Sequence, residues 1–250
     1  LGRPDEARAI FAALVRAPEP PARAWHGLAL LLLGDGHEAA AEVALRRAIS
    51  QAPDLTEARQ QLADLLARRL DLGTAADLYH DILAIDPDNS DALAGLGQAL
   101  IGLGRLDEAL DQLERALAIR PTHALAHLAR ARLNLIDGHL QGAWDDLEWR
   151  WQASGRKRPE APGQGWNGDD DLAGHTILLW AEQGIAEIIH LLRYVPVIAH
   201  RAGKVILGLP QPLVPLAKGI EGVHAAVASG QGLPAGLAID YNASLNDLPR

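Results

Sequence analysis

The residues able to do chemistry in this 250-residue chain are easier to exclude than to assemble. There is no cysteine, so thiolate metal sites, disulfides and a cysteine nucleophile are all absent. The ten histidines are scattered and form no His-Glu-x-x-His pair. No Gly-x-x-x-x-Gly-Lys-Ser/Thr loop is present to cradle a phosphate, and no Gly-x-Ser-x-Gly elbow to present a nucleophilic serine. The acidic triplet Asp169–Asp171 has the charge to hold a cation, but its glycine-rich surroundings equally describe a solvated loop. Neither a metal nor a cofactor is called for by any of these patterns.

Composition narrows the field further. With 48% hydrophobic and 22% charged residues the chain can bury a sizeable core. Its net charge of −9 disfavours nucleic acid as a partner held by bulk charge. The longest aliphatic run, Leu28 to Leu33, is far short of the roughly 20 residues that cross a bilayer. No charged-then-apolar leader opens the chain, and a cytoplasmic protein is expected. With no Met anywhere, the sequence reads as a piece of something longer.

Two regions differ in design. The first 150 residues hold 15 arginines, no lysine and 23 acids, which is nearly all of the net charge. Trp144, Trp149, Trp151, Trp166 and Trp180 fall close together, and glycine and proline thicken after residue 154.

The first region repeats. Pro53, Pro87 and Pro121 are each 34 residues apart. Ahead of Pro121 stand Leu93, Leu96, Gly97 and Leu100 on one helix, Gly104 in a turn, and Ala109, Leu113, Ala116 and Leu117 on a second helix. The blocks 22–55 and 56–89 carry the same skeleton, 124–154 keeps most of it without the proline, and 1–21 matches a second half alone. Small residues at 29/41, 63/75, 97/109 and 131/143 allow paired helices to approach closely. Each proline ends a second helix because it lacks an amide proton and crowds the preceding turn. One hairpin cannot bury its own apolar face, so the hairpins must stack.

This skeleton resembles the tetratricopeptide repeat, a 34-residue helix–turn–helix unit. The resemblance implies a right-handed α-solenoid over residues 1–154 whose concave groove takes a protein or peptide segment. By analogy with that family, groove positions are the second, fifth, ninth and twelfth of each block. They include Arg23, His26, Leu30 and Leu33, then Glu57, Gln60 and Asp64, then Asp91, Ala94, Gln98 and Ile101, then Leu125, Leu128, Arg132 and Leu135. Glu57, Asp64 and Asp91 make the middle acidic and suit a basic or polar partner. The half repeat at the start leaves an uncapped edge through which copies are expected to associate.

After a connector over 155–175, the second region alternates strand and helix patterns. Strands are expected at Thr176–Ala181, Lys204–Leu207, Val223–Val227 and Leu237–Tyr241, with helices at Ile185–Arg201 and Leu213–Lys218. The fold class expected for the whole chain is therefore α + α/β, a solenoid followed by a partial Rossmann-like parallel domain over 176–250. Trp144, Trp149 and Trp151 are expected to close the last repeat against that domain. Trp166 could stack on a sugar, whereas Trp180 reads as strand packing.

The strings GAWDDLEWRW (142–151), GWNGDDDLAGHTILLWAEQG (165–184) and VILGLPQPLVPLAKGIEGV (205–223) carry a second resemblance. They are similar to the glycosyltransferase-like domain that follows tetratricopeptide repeats in many bacterial proteins. That domain resembles the ADP-heptose:lipopolysaccharide heptosyltransferases of the two-Rossmann type, of which only the N-terminal half is matched. A sugar-nucleotide donor would bind the missing half, so this stretch alone is expected to be inactive. In that family a Gly-x-Gly-Asp turn places a general base at a helix start. Here Gly184, Ile185, Ala186 and Glu187 stand in those places, which implies Glu187 as base and His190 one turn on. The resemblance also implies Glu182, Gln183 and Gly184 at the acceptor. Read from the residues alone, Glu187 is an acid complementing a helix dipole.

Overall fold

The computed structural model describes residues 4–182, 184–233 and 236–248. The chain divides into two compact units, Leu1–Arg156 and Lys157–Arg250.

The first unit is all helix: α1 (Pro4–Leu14), α2 (Ala22–Gly34), α3 (Glu38–Gln51), α4 (Thr56–Arg68), α5 (Leu72–Ile85), α6 (Ser90–Gly102), α7 (Leu106–Ile119), α8 (Ala124–Asp137), α9 (Leu140–Leu147) and α10 (Arg150–Ala153). Successive hairpins stack into a helical solenoid with one continuous core from Ala29 to Leu133. The small-residue pairs do what their size allows. Ala29, Ala41, Ala63, Ala75, Ala109, Ala131 and Ala143 are all fully buried. At Gly97 a β-carbon would lie 2.7 Å from Leu113 Cγ, so the α6–α7 crossing requires glycine.

The turns and ends recur with the sequence. Ala52, Asp86 and Arg120, each preceding a proline, close their helices in the extended conformation that a following pyrrolidine ring imposes. Without such a proline, the last hairpin runs on from α9 into α10. Between first and second helices, Gly36, Gly104 and Gly138 adopt φ of 77°, 75° and 80°. The same place in the block 56–89 is Leu70, with φ 64°. A side chain in this left-handed region meets its own backbone, at a cost of about 1–2 kcal/mol.

The second unit is a parallel sheet with strands β1 (Gln164–Gly165), β2 (Thr176–Trp180), β3 (Lys204–Leu209), β4 (Val223–Ala228) and β5 (Tyr241–Ser244). Its order is β1-β5-β2-β3-β4, and every pairing is parallel. The helices are α11 (Ile185–Leu191), α12 (Val195–Arg201) and the short α13 (Val214–Ala217). Buried on both faces, β2 and β3 read as unbroken apolar runs, as parallel strands do.

Three expectations are corrected. The helix expected over Ile185–Arg201 is two helices joined by a 3-10 turn at Leu192–Tyr194, because Pro196 offers no N–H and is tolerated only in a first turn. The last strand begins at Tyr241, where the span Leu237–Tyr241 was expected to end. The connector over 155–175 contributes β1, which pairs with β5, and sends Trp166 and Leu172 into the sheet's core. A two-residue strand of exposed Gln-Gly has no periodicity to read.

Candidate functional site

Along the first helices, the expected groove positions divide. Arg23, Glu57, Asp91, Gln98 and Arg132 are exposed, as are Leu30, Leu125 and Leu135. Ala94 and Ile101 are instead buried, and this corrects their place in the groove. Both belong to the continuous repeat core, so they hold hairpins together and cannot line an open face.

Gln60 and Asp64 are brought together, and Tyr79 joins them from the next helix. Asp64 Oδ1 accepts from Gln60 Nε2 at 2.9 Å and from the Tyr79 hydroxyl at 2.7 Å. Tyr79 comes from α5 and reaches Asp64 past α6, where Gly95 leaves room for the ring. A β-carbon at Gly95 would sit 2.5 Å from Tyr79 Cζ. The available signal was that pairing: a tyrosine in one repeat facing a glycine in the next. Burial pushes the Asp64 carboxyl above the usual carboxylate range, against the pull of its two donors. Burial, then the neighbouring Asp64 charge, raises the Tyr79 phenol and keeps it a donor.

Asp91 ties its repeat to the next. It pairs with the Arg120 guanidinium, and His123 Nε2 lies 3.2 Å away. Burial, with Arg120 adding to it, lowers the His123 imidazole, while Asp91 opposes. His26 is also lowered by burial, opposed by Glu57 and reinforced by Arg23. The acidic middle is thus already partly answered from within, while Glu57 stays exposed.

The last hairpin holds an ion-pair network that the sequence reading missed. Buried Asp146 receives Arg130 through Nε at 2.7 Å and Nη2 at 2.8 Å. His127 Nδ1 lies 2.6 Å from the same carboxylate, and the imidazole stacks on Trp149 with centroids 4.2 Å apart. Trp149 therefore packs within its own unit. The Arg150 guanidinium lies over the Trp151 ring at 5.1 Å.

In the second unit, the chain runs outward from β2 to β3 and β4, then returns to the other side of β2 as β5. The two strands that flank this switch end in register, Trp180 beside Ser244. Such a carboxyl-edge crevice is where ligands bind in open parallel sheets. Glu182 Oε1 accepts from Ser244 Oγ at 2.5 Å, and Glu187 Oε1 accepts from Asn246 Nδ2 at 2.8 Å. The Asn246 backbone N–H donates to Ser244 Oγ at 3.1 Å. Glu182 is therefore held by the end of β5 and Glu187 by the turn that follows it. Gly184 starts α11 with φ 95°, a conformation that favours glycine. Ala186 lies within α11, so the positive φ falls on Gly184 alone among these four places. Gln183 lies outside the described residues.

His190 makes no hydrogen bond to Glu187 among the described residues. It is exposed, and its ring nitrogens face the Arg193 guanidinium, with Nη2 2.6 Å from Nε2. Arg193 only donates, so a ring nitrogen that meets it must accept. Trp166 is buried, donates to the Asp170 carbonyl at 3.1 Å and is covered by Arg201 at 5.2 Å, which leaves no open ring face for a sugar on that side. Trp180 is likewise buried, its indole N–H 3.3 Å from Asn242 Oδ1. Asp169 and Asp171 accept from neighbouring loop groups, and among the described residues no group of three or more metal-binding side chains occurs. No helix among them is long and apolar enough to cross a membrane.

Comparison with known proteins bears on the first unit. Residues 71–133 and 1–56 each match tetratricopeptide repeat families. No curated protein matches the chain. Among solved structures, MamA of MSR-1 is 25% identical, covers 62% of this chain and 88% of its own, and has a TM-score of 0.50. MamA of AMB-1 is 24% identical, with 62% and 92% covered and a TM-score of 0.52. MamA from Desulfovibrio magneticus RS-1 shares the fold at 16% identity, with 63% and 89% covered and a TM-score of 0.54. The chain thus carries tetratricopeptide repeats stacked as a solenoid, joined to a parallel α/β unit.

Proposed function

We propose that the repeat unit is a protein-interaction scaffold that takes a basic or polar partner segment along its first-helix groove. One observation carries this reading. Within a solenoid whose core is closed, the first helices still expose a row of mixed polar and apolar side chains, Arg23, Leu30, Glu57, Gln98, Arg132 and Leu135 among them. Glu57 supplies the charge that selects a basic segment, and the leucines supply contact area. The test is fluorescence polarisation of the full chain with labelled peptides of opposite charge but equal length. Lysine-rich peptides should bind more tightly than glutamate-rich ones, the preference should weaken with salt, and Glu57→Lys should invert it. Equal binding of both peptide classes by wild type would sink the groove reading.

The same unit favours self-association at its N-terminal edge, where α1 exposes Ile10 and Leu14. A further copy stacked there would continue the repeat packing.

A second reading concerns the sheet unit, and the two glutamates held at its switch point favour it. In a longer protein supplying a sugar-nucleotide half, Glu182 would accept a hydrogen bond from an acceptor sugar hydroxyl and Glu187 would take its proton. Asn246 would fix the Glu187 carboxylate by donating to Oε1. Transfer assays with a panel of sugar nucleotides on that longer protein should lose activity on Glu187→Gln; equal activity in both would remove the base role.

A further inference from the structure

Most charges on the first helices are answered within the repeat stack. On α4, Arg59 pairs with Asp81 of α5 at 3.7 Å and Arg68 with Glu38 of α3 at 3.8 Å. On α6, Asp91 pairs with Arg120. On α8, Arg130 is taken by Asp146 of α9, and Asp137 at the turn end lies 3.4 Å from His139. Among the described residues, that leaves Arg23 on α2, Glu57 and Asp64 on α4, and Arg132 on α8 without an ion pair. Gln60 and Tyr79 donate to Asp64, but both are neutral and leave its charge uncancelled.

These four charges are ordered along the stack: basic on α2, acidic on α4, basic again on α8. Beyond the burial that lowers the His26 imidazole, Glu57 and Arg23 pull it in opposite directions, which places the change of sign between α2 and α4. Apolar exposure is ordered too. Leu30 on α2 and Leu125 and Leu135 on α8 are exposed, whereas α4 and α6, both fully described, expose no large apolar side chain. Gln60 and Gln98 stand there instead.

We propose, resting on the first-helix groove as the binding face, that this face reads the order of charges along its partner. It takes a protein segment with lysine or arginine at its centre and both acidic and apolar residues on either side. The central bases meet Glu57 and Asp64, the flanking acids meet Arg23 and Arg132, and the flanking apolar side chains cover Leu30, Leu125 and Leu135. A uniformly basic segment sets like charge against both arginines, so repulsion at the ends discriminates against it. Because an arginine and exposed leucine stand at either end, the charges accept the segment in both directions.

Two labelled peptides of identical composition test this by fluorescence polarisation with the full chain. In the first, lysines fill the centre and glutamates the ends. In the second these are exchanged, while the leucines keep the same places near both ends. Net charge is then equal, and the first should bind about 10-fold more tightly, the combined worth of several exposed charge pairs. The double change Arg23→Glu and Arg132→Glu should remove most of that preference while tightening the binding of a lysine-rich peptide. A misfolded variant would lose both, so the opposite signs exclude unfolding as the cause. Moving the leucines of the first peptide to its centre should weaken it, and equal affinity there overturns the apolar flanks. Equal affinity of the first two peptides, with lysine-rich still preferred to glutamate-rich, overturns the ordered reading and leaves the groove standing. Equal binding of lysine-rich and glutamate-rich peptides removes the groove itself, and the order with it. A preference that survives in the double variant also overturns the proposal, because the order is then read away from these arginines.

Discussion

The two units solve the same problem with contacts of different reach. In the repeats, each hairpin packs on its neighbours in sequence, so one 34-residue pattern specifies every interface. In the sheet unit, β5 returns to pair with β2 from more than 60 residues away, Leu178 opposite Asn242. The repeat core is therefore a sum of local decisions, and the sheet core is a single distant closure. Equal damage should have unequal reach in the two.

The largest effect tests this directly. Leu113 and Leu179 are both fully buried, one in α7 and one in β2. Truncating either to alanine should cost about 2–5 kcal/mol. Hydrogen exchange should show Leu113→Ala loosening the hairpins around α6 and α7 while α2 and α3 stay protected. Leu179→Ala should release all of β2, β3 and β5 together. If Leu113→Ala deprotects every repeat helix equally, the repeats fold as one cooperative block and the contrast fails.

Asp146 probes a place where the repeat unit relies on buried charge. Asp146→Ala leaves Arg130 and His127 without their acceptor, and breaking such a pair costs about 3 kcal/mol. The loss should be confined to α8, α9 and α10. Retained protection of those helices would show that stacking of His127 on Trp149 carries the hairpin alone.

The legibility of the sequence follows the same divide. Proline spacing and small-residue pairs specified the hairpins because every period repeats the signal, and an error in one block is corrected by the next. Ala94 and Ile101 were misplaced because a groove position by analogy says nothing of how deeply the neighbouring hairpin covers it. The place of the Tyr79 hydroxyl could not be read from its own block, because only the neighbouring repeat's Gly95 makes room for the ring. In the sheet unit, β2 and β3 were visible as apolar runs, whereas β1 was not, since its existence depends wholly on β5. Glu182 and Glu187 were found through resemblance, but the residues that hold them, Ser244 and Asn246, lie some 60 positions away and leave no local trace.

Leu70 is the exception within the repeats, a column in which one block departs from glycine. Leu70→Gly should raise stability by about 1 kcal/mol, the relieved strain being partly offset by the greater freedom of glycine in the unfolded chain. That corresponds to a rise in Tm of about 2–4 °C. A variant melting below wild type would mean that the leucine makes a stabilising contact, and the turn would cease to be a point of strain.

The smallest effect separates burial from pairing in the repeat unit through pH. His26 and His123 both have imidazoles lowered by burial, so in the folded chain they hold protons less well than in the unfolded chain. As pH falls through about 6.5, the unfolded state takes up protons that the folded state refuses. Stability is therefore full above that value and declines below it. Asp64, raised by burial, works in the opposite sense at more acidic pH, because there the folded state binds the proton first. Denaturant titrations at pH 7.5 and 5.5 should show wild type losing stability between them. The pair of changes His26→Gln and His123→Asn should remove most of that slope, with asparagine still able to cap α8 through its side-chain oxygen. An unchanged slope in the double variant would mean that Glu57 and Asp91 compensate the burial of both rings, and that pairing between neighbouring repeats outweighs desolvation on this face.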